Sequence, residues 1–219
     1  MAAKGIYLRA LIRAWLTIFL METTMKKSTN GFLMLAILLS ASAAQADEPK
    51  KEVAEKPAAK VEVGQQAPEF KIADANGKVI DLAQLTAKGP VLVRLTCGCS
   101  GCDKELAYFQ ELHKAYENKG LTSLAVFKEP DTKVESYVKE KKLNMLYAID
   151  TKGKSWDVFQ TKTMPTNFLI EKGGKIVSIA PGCDPSGLLA KKLSEKVAQT
   201  VSAEAVDVQQ KVNAEKGKK

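Results

Sequence analysis

The chain has 219 residues, a hydrophobic fraction of 45%, a charged fraction of 26% and a formal net charge of +8. This composition is that of a soluble globular protein, and it excludes a collagen-like or wholly disordered chain. Four cysteines are too few for a scaffold held together by disulfides, and the single histidine excludes a histidine-rich metal cage and any mechanism that needs two imidazoles.

The first 46 residues have the pattern of an export signal. A Met-Lys-Lys segment begins at Met25, an apolar run follows over 31–39, and an A-x-A cleavage site lies at 44–46, so residues 25–46 are interpreted as a signal peptide. The apolar run is shorter than the ~20 residues that a membrane-spanning helix needs. Residues 1–24 are interpreted as sequence upstream of the true start, and the alternative is one long signal or an uncleaved anchor.

Cleavage after Ala46 changes what the net charge means. It removes five basic residues and one acidic residue, so 28 basic and 24 acidic residues remain and the net charge falls to +4. No Lys/Arg run is interleaved with aromatic residues in the remainder, so we predict no nucleic-acid partner. The predicted location is periplasmic or otherwise extracytoplasmic, where cysteines form disulfides. The membrane is a partner only if the leader stays uncleaved.

The remainder of the chain predicts one α/β domain over 63–200 between two polar segments. Residues 47–62 are rich in Lys, Glu, Ala and Pro and predict a disordered linker, while 201–219 predict a polar tail, a frayed helix followed by disorder. Between them, strands alternate with helices. In chain order we expect a β-hairpin turning at 76–77, a buried strand at 91–95, a helix through 106–116, a strand at 121–127, a helix near 134–138, a strand at 145–149, a hairpin over 168–179 and a helix from 184.

Three of the four cysteines lie in one short stretch, between the first buried strand and the helix that follows it. Cys99 and Cys102 form a C-x-x-C. If the helix begins near Ser100, Cys99 lies at its N-terminal end, where free backbone N–H groups and the helix dipole stabilise a thiolate. Cys102, one helical turn further, can then resolve a mixed disulfide on Cys99. A C-x-x-C at a strand-to-helix junction indicates thiol–disulfide chemistry.

From about residue 64 to 199 the chain resembles the thioredoxin superfamily, in its branch of exported thiol-disulfide oxidoreductases and redoxins, the alkyl hydroperoxide reductase and thiol-specific antioxidant proteins. The matching segments are Gly64–Phe70, Asn76–Lys78, Cys99–Cys102, Met164–Ile170 and Gly174–Val177. The resemblance implies a thioredoxin-like sandwich with a central mixed sheet, helices on both faces and an N-terminal β-hairpin.

The resemblance also implies roles for individual residues. Cys99 and Cys102 are the expected catalytic dithiol. Pro165 is expected to have a cis peptide bond and to lie opposite them, and the backbone of Met164 is expected to pair with the substrate. Glu105 is the expected buried carboxylate that adjusts the thiol pKa and relays a proton to Cys102; its alternative role is a first-turn acid that interacts with the helix dipole.

No dissociable cofactor and no metal is implied, because the dithiol itself carries the electrons. The expected partners are protein substrates that bear a disulfide or a dithiol, together with a redox partner protein, and we expect a monomer. The direction of electron flow depends on the reduction potential of the dithiol relative to that of the compartment.

Four features depart from the family pattern. Gly98 stands where relatives usually have an aromatic residue, and the dipeptide between the cysteines is Ser100-Gly101. Cys97 and Cys183 are additional thiols, candidates for an accessory role. We consider four interpretations of them: small buried hydrophobic residues, a structural Cys97–Cys183 disulfide, a second redox step, or thiolate ligands to a metal.

Two rival functions remain. Thr96-x-x-Cys99 matches part of the peroxidatic motif of peroxiredoxins, the antioxidant peroxidases; however, Leu92 stands where that motif has proline, and no arginine follows Arg94. An exported copper or zinc carrier requires all four cysteine sulfurs to converge. The function we predict is therefore an exported thiol-disulfide oxidoreductase that exchanges disulfides with protein or small thiol substrates.

Overall fold

A computed structural model of the chain describes residues 60–218. The predicted leader segments, 1–24 and 25–46, lie outside the described residues, as does all of the predicted linker except its last three residues. The predicted domain, 63–200, lies wholly inside them. Among the described residues, no helix is both long and apolar enough to cross a membrane.

The described part of the chain alternates strands and helices, as expected. Its strands are β1 (Lys71–Ala73), β2 (Val79–Asp81), β3 (Val91–Thr96), β4 (Thr122–Phe127), β5 (Leu146–Ile149), β6 (Thr166–Ile170) and β7 (Ile176–Pro181). Its α-helices are α1 (Leu82–Lys88), α2 (Ser100–Tyr116), α3 (Asp131–Lys141), α4 (Lys154–Val158), α5 (Leu188–Thr200) and α6 (Val208–Lys216).

The central sheet is mixed and has the strand order β5-β4-β3-β6-β7. β3 pairs in parallel with β4, and β4 with β5, whereas β6 is antiparallel to both β3 and β7. β1 and β2 form a separate antiparallel hairpin, in which Gly77 supplies the positive φ of 79° that the turn requires. The predicted thioredoxin-like sandwich with its N-terminal hairpin is confirmed.

The sheet separates two hydrophobic cores, and β3 contributes to both because successive side chains of a strand point to opposite faces. Val91, Val93 and Leu95 pack with the hairpin, α1 and α4 in one core. Leu92 lies in the other core, which contains the apolar residues of α2, α3, α5 and α6. All six residues of β3 are buried, as expected for a central strand.

The two shortest helices, α1 and α4, were not predicted. α1 has seven residues and begins after Asp81, whose side chain accepts a hydrogen bond from the backbone N–H of Ala83 at 3.0 Å. α4 has five residues. A segment of one or two turns has too few apolar positions to display helical periodicity, so the sequence pattern carried no usable signal for either helix.

The expectation that residues 201–219 form a frayed helix followed by disorder is wrong for α6. Val208 and Val212, one helical turn apart, are 0% and 5% exposed and belong to the core that contains α2. The segment before α6 is also held, because the hydroxyl of Tyr116 accepts a hydrogen bond from the backbone N–H of Val206 at 2.8 Å. Two valines among polar residues form a stable helix here only because a surface is available for them to pack against.

Candidate active site

Cys99 lies at the N-terminal end of α2, as predicted. β3 ends at Thr96, α2 begins at Ser100, and Cys99 is the N-cap residue with an extended backbone. The Cys99 side chain is exposed and makes no capping hydrogen bond to the backbone. Its sulfur is therefore accessible to a substrate and lies at the positive end of the helix dipole.

Three cysteine sulfurs form a compact cluster at this junction. The Sγ atom of Cys99 lies 2.7 Å from that of Cys97 and 3.5 Å from that of Cys102. The sulfurs of Cys97 and Cys102 are 3.4 Å apart. All three are free thiols, and only Cys99 is exposed, since Cys97 and Cys102 are 8% and 4% exposed. An external disulfide can therefore reach Cys99, while the other two sulfurs are placed to react with it from inside.

The pKa values of Cys97 and Cys99 are shifted in opposite directions. Burial works to raise the pKa of Cys99, but the hydrogen bond from the Cys97 thiol, together with the nearby backbone N–H groups of Cys102 and Gly101, outweighs it and lowers that pKa. Burial, together with the hydrogen bond to Cys99, raises the pKa of Cys97 to about 12. The cluster therefore favours a thiolate on Cys99 with a protonated Cys97 donating to it.

Glu105 is buried, as the resemblance implied, and both of its carboxylate oxygens have partners. One oxygen pairs with the guanidinium of Arg94, and the other accepts a hydrogen bond from the backbone N–H of Asp184 at 2.8 Å. Glu105 thus joins α2 to β3 and to the loop that carries Cys183. This position is not that of a first-turn acid in solvent. The relay of a proton to Cys102 stays a prediction.

Arg94 is a site residue that the sequence reasoning missed. It is 3% exposed, donates a hydrogen bond to Oδ1 of Asn167 at 2.9 Å, and its guanidinium carbon lies 4.1 Å from the centroid of the Phe109 ring. A usable signal was present, because a charged residue inside an apolar strand must find a partner when it is buried. That partner is Glu105, the carboxylate already singled out.

Cys183 lies beside the cluster but is not part of it. The side chain is exposed, and its thiol donates a hydrogen bond to the backbone carbonyl of Gly101 at 2.9 Å. Burial and the negative charge of Glu105 raise its pKa. Cys97 and Cys183 are both free thiols in the structure, so the structural disulfide considered between them is not formed.

Pro165 and Met164 come to the same end of the sheet. The Met164–Pro165 peptide bond is cis, as expected. The pairing of Leu95 with Thr166 places the preceding residue, Pro165, beside the end of β3. The carbonyl of Pro165 accepts a hydrogen bond from the backbone N–H of Gly182 at 2.7 Å, which connects it to the Cys183 loop.

Among the described residues, the sulfurs of Cys97, Cys99 and Cys102 lie within 4.8 Å of one another and form the group best suited to hold a soft metal ion. Cys183 is not a member of this group. The carrier function considered above required four converging sulfurs, and the geometry brings together three.

Comparisons with known proteins agree with this geometry. The model of the AhpC/TSA family matches residues 63–179. The thiol-disulfide oxidoreductase ResA of Bacillus thuringiensis subsp. konkukian is 36% identical over 124 residues, which is 56% of this chain and 72% of that protein. Both the family and the relative match the stretch that contains the cysteine cluster.

Solved structures show the same fold in proteins of different function. The thioredoxin domain of a thiol-disulfide oxidoreductase from Bacteroides vulgatus has a TM-score of 0.54 and 23% identity, covering 62% of this chain and 98% of that one. The peroxidoxin BcpB of Mycobacterium tuberculosis has a TM-score of 0.53 and 19% identity, covering 65% and 97%. At these identities the likeness concerns the fold, so the choice between oxidoreductase and peroxidase depends on the site and on the sequence relatives.

Proposed function

This chain belongs to the AhpC/TSA family and is a thiol-disulfide oxidoreductase, and on that premise we propose that Cys99 and Cys102 are its working dithiol and that it acts outside the cytoplasm. The observation that carries the assignment is the asymmetry of the C-x-x-C: an exposed sulfur with a lowered pKa at the start of α2, and a buried sulfur 3.5 Å away.

In the first step the Cys99 thiolate attacks one sulfur of a substrate disulfide. A mixed disulfide forms between Cys99 and the substrate, the substrate S–S bond breaks, and the second substrate sulfur leaves as a thiolate that takes up a proton. The lowered pKa of Cys99 supports this role, because the thiolate is the reactive form at neutral pH. Exposure supports it equally, because the substrate is a protein or a small thiol compound that approaches from solvent.

In the second step the sulfur of Cys102 attacks Cys99. The Cys99–Cys102 disulfide forms, and the substrate leaves as a thiol, so the substrate gains the two electrons that the dithiol loses. Cys102 is 4% exposed, which limits it to this internal reaction. The same steps in reverse donate a disulfide to a substrate dithiol.

Met164 and Pro165 are the proposed substrate-binding residues. They adjoin the end of β3 from which the cysteine loop departs, and the half-exposed Met164 side chain is flexible enough to contact varied peptides. A substrate chain that pairs with the backbone of Met164 would present its disulfide to Cys99. Glu105 would act less directly, by holding Arg94 and the Cys183 loop against α2.

Export is proposed from the signal-peptide pattern over 25–46. Outside the cytoplasm the substrates are protein thiols and disulfides, and a redox partner protein is needed to return the dithiol to its starting state. Reduction or oxidation of substrates then follows from which partner supplies the electrons.

The two groups that a peroxidase mechanism would use, the Thr96 hydroxyl and the Arg94 guanidinium, both have other partners in the structure. The hydroxyl of Thr96 donates to the carbonyl of Cys97 at 3.3 Å, so its donor is used away from the Cys99 sulfur. The guanidinium of Arg94 is buried and engaged by Glu105 and Asn167, so it is not free to polarise a peroxide.

The test is insulin reduction by the purified protein with dithiothreitol as electron source. We expect Cys99→Ser to lose about 1,000-fold in rate because the nucleophile is gone. Cys183→Ser is the matched control: it also removes a thiol near Gly101, but one outside the sulfur cluster, and it should retain wild-type activity. Insulin reduction that persists in Cys99→Ser contradicts the assignment, and consumption of hydrogen peroxide that depends on Cys99 would favour the peroxidase.

A further inference from the structure

The two-cysteine mechanism leaves Cys97 without a task, although its sulfur is nearer to the nucleophile than that of Cys102. The Cys97–Cys99 sulfur distance is 2.7 Å, and the Cys99–Cys102 distance is 3.5 Å. Cys97 is 8% exposed, so a substrate does not reach it from solvent. A buried thiol in contact with the attacking sulfur has the same relation to Cys99 that defines a resolving cysteine.

We propose that Cys97 is a second resolving cysteine, which attacks the mixed disulfide on Cys99 and forms a Cys97–Cys99 disulfide. This inference rests on the proposed function of Cys99. The Cys97 thiol loses its proton to the medium, its sulfur bonds to Cys99, and the bond between Cys99 and the substrate breaks. The substrate sulfur leaves as a thiolate and takes up a proton. The two electrons that reduce the substrate disulfide come from the thiols of Cys97 and Cys99.

The backbone between the two cysteines permits this bond. Two residues of extended chain span at most about 7 Å, and a disulfide needs Cα atoms about 4.4–6.8 Å apart, so the chain can bring residues 97 and 99 to the required separation. Both lie after the last residue of β3 and before the first residue of α2. A rotation confined to their side chains therefore breaks neither a strand pairing nor the hydrogen bond that the Cys99 carbonyl accepts from the backbone N–H of Asp103 at 3.0 Å.

The residue between them adds room for the movement. Gly98 has no side chain, and a Cβ placed on it would meet only the ring of Tyr137, at an ordinary contact distance of 3.6 Å. On the other side, a Cβ on Gly101 would meet the Cys99 sulfur at 3.9 Å. Because Gly98 and Gly101 have no side chains, neither residue places an atom that would separate the three sulfurs.

Cys102 and Cys97 can also exchange a disulfide, because their sulfurs are 3.4 Å apart. A disulfide formed at Cys99 with either partner can then pass to the other, so the cluster holds one oxidised pair and one thiol in three arrangements. Cys183 does not take part, since its sulfur lies outside the cluster of three. The consequence is redundancy: removing Cys102 leaves the mixed disulfide on Cys99 with a resolving thiol still in contact.

The experiment follows a single turnover with oxidised glutathione as the substrate disulfide. Reduced protein is freed of reductant, treated with oxidised glutathione, alkylated and digested with trypsin. Cleavage after Arg94 and Lys104 puts all three clustered cysteines in one peptide, while Cys183 falls in a different peptide, 176–191. Mass spectrometry then distinguishes a retained glutathione from an internal disulfide, which has lost two hydrogen atoms and carries no glutathione.

We expect Cys102→Ser to form the internal disulfide at a rate within about tenfold of the wild type, and Cys97→Ser/Cys102→Ser to retain glutathione on Cys99. Cys102→Ala serves as a second variant if circular dichroism shows that Cys102→Ser is misfolded. Retention of glutathione by the single Cys102 variants, to the same extent as in the double variant, overturns the proposal. A crosslink between the 95–104 and 176–191 peptides would assign resolution to Cys183 and overturns it too.

Failure of the proposal and failure of the proposed function give different results. In the Cys99→Ser variant, neither Cys97 nor Cys102 should react with oxidised glutathione. If the variant forms the internal disulfide at the wild-type rate, Cys99 is not the nucleophile and the proposed function is wrong. If Cys99→Ser is inert but Cys102→Ser retains glutathione, Cys99 keeps its role and only the second resolving cysteine is excluded.

Discussion

The two faces of β3 carry different kinds of residue and perform different tasks. Val91, Val93 and Leu95 face the core beneath the hairpin, which is built from aliphatic and aromatic side chains. The other face presents Arg94, which is buried against Phe109 and paired with Glu105. Both faces are stabilised by apolar area, because Leu92 on the second face lies in the core that contains α2. Only the second face, the polar face, also keeps an ion pair out of water.

This difference shows how the fold positions the end of β3 that leads into the cysteine cluster. Apolar packing is tolerant of exchange between side chains of similar volume, whereas a buried charge is stable only with its own partner in place. Arg94 and Glu105 are such partners, and Glu105 also holds the backbone of Asp184. The ion pair of the polar face therefore determines which segments meet near the cysteines, while the apolar cores on both faces stabilise the sheet that carries them.

Two neighbouring residues of β6, one on each face of the sheet, allow the difference between the faces to be tested, and the larger effect is expected on the apolar side. Asn167 accepts a hydrogen bond from Arg94, whereas Phe168 is 1% exposed in the apolar core, with its ring centroid 4.7 Å from that of Phe159. We expect Phe168→Ala to lower the free energy of unfolding by about 4 kcal/mol, through lost apolar contacts and the cavity left behind. Urea denaturation measures this change.

The same Phe168→Ala variant should keep wild-type insulin-reduction activity per folded molecule at low temperature, because Phe168 lies in the core on the side of the sheet opposite Arg94 and Glu105. If specific activity falls by more than the fraction of folded protein does, the core around Phe168 also contributes to activity, and the functional difference between the two faces is wrong.

Glu105→Gln tests the polar face. The amide oxygen still accepts from Arg94, but the guanidinium loses its counter-charge, so we expect a loss of about 3 kcal/mol in the free energy of unfolding, at the lower end for a broken buried pair. Arg94→Met/Glu105→Gln removes both charges and should recover part of that loss. Urea denaturation of the two variants decides. Equal stability of Glu105→Gln and the wild type would show that the pair contributes nothing.

The smallest expected effect concerns the pKa of Cys99 and its dependence on Cys97. Because the pKa of Cys99 lies below its ordinary value of 9.0, its thiolate persists to lower pH, and alkylation by iodoacetamide should have its midpoint below pH 9.0. Cys97→Ala removes the thiol that donates to Cys99 and should move this midpoint upward, while Cys97→Ser keeps a donor and should move it less. The rate is followed on the 95–104 peptide. A midpoint at or above 9.0 in the wild type contradicts the lowered pKa.

The sequence predicted much of the fold because local patterns report local structure. A β-branched run identified β3, the Asn-Gly pair identified the first hairpin, and helical spacing from Leu106 to Tyr116 identified α2. The same locality explains the placement of Cys99: a C-x-x-C between a strand and a helix puts its first cysteine at the helix N-terminus. The short helices α1 and α4 carried too few turns to give such a pattern.

The parts that the sequence did not predict depend on residues far apart in the chain. Arg94 and Glu105 are 11 residues apart, and Glu105 and Asp184 are 79 apart. No periodicity connects such positions, so the sequence could name Glu105 as a carboxylate of interest without identifying its partner. The docking of α6 through Val208 and Val212 is of the same kind, since its few apolar residues matter only against the surface that α2 and α5 provide.

The amino-acid sequence by itself determined the α/β class, the strand-to-helix position of the cysteines and the placement of Cys99 at a helix N-terminus, because these follow from spacing and from the chemistry of helix ends. Tertiary structure alone decided the grouping of the four cysteines. The sequence admits a bond from Cys97 to Cys183, but the folded chain puts the Cys97 sulfur against Cys99 and Cys102 and leaves Cys183 on a neighbouring loop. A sulfur reacts with the sulfurs that packing brings within reach, and packing depends on the whole chain.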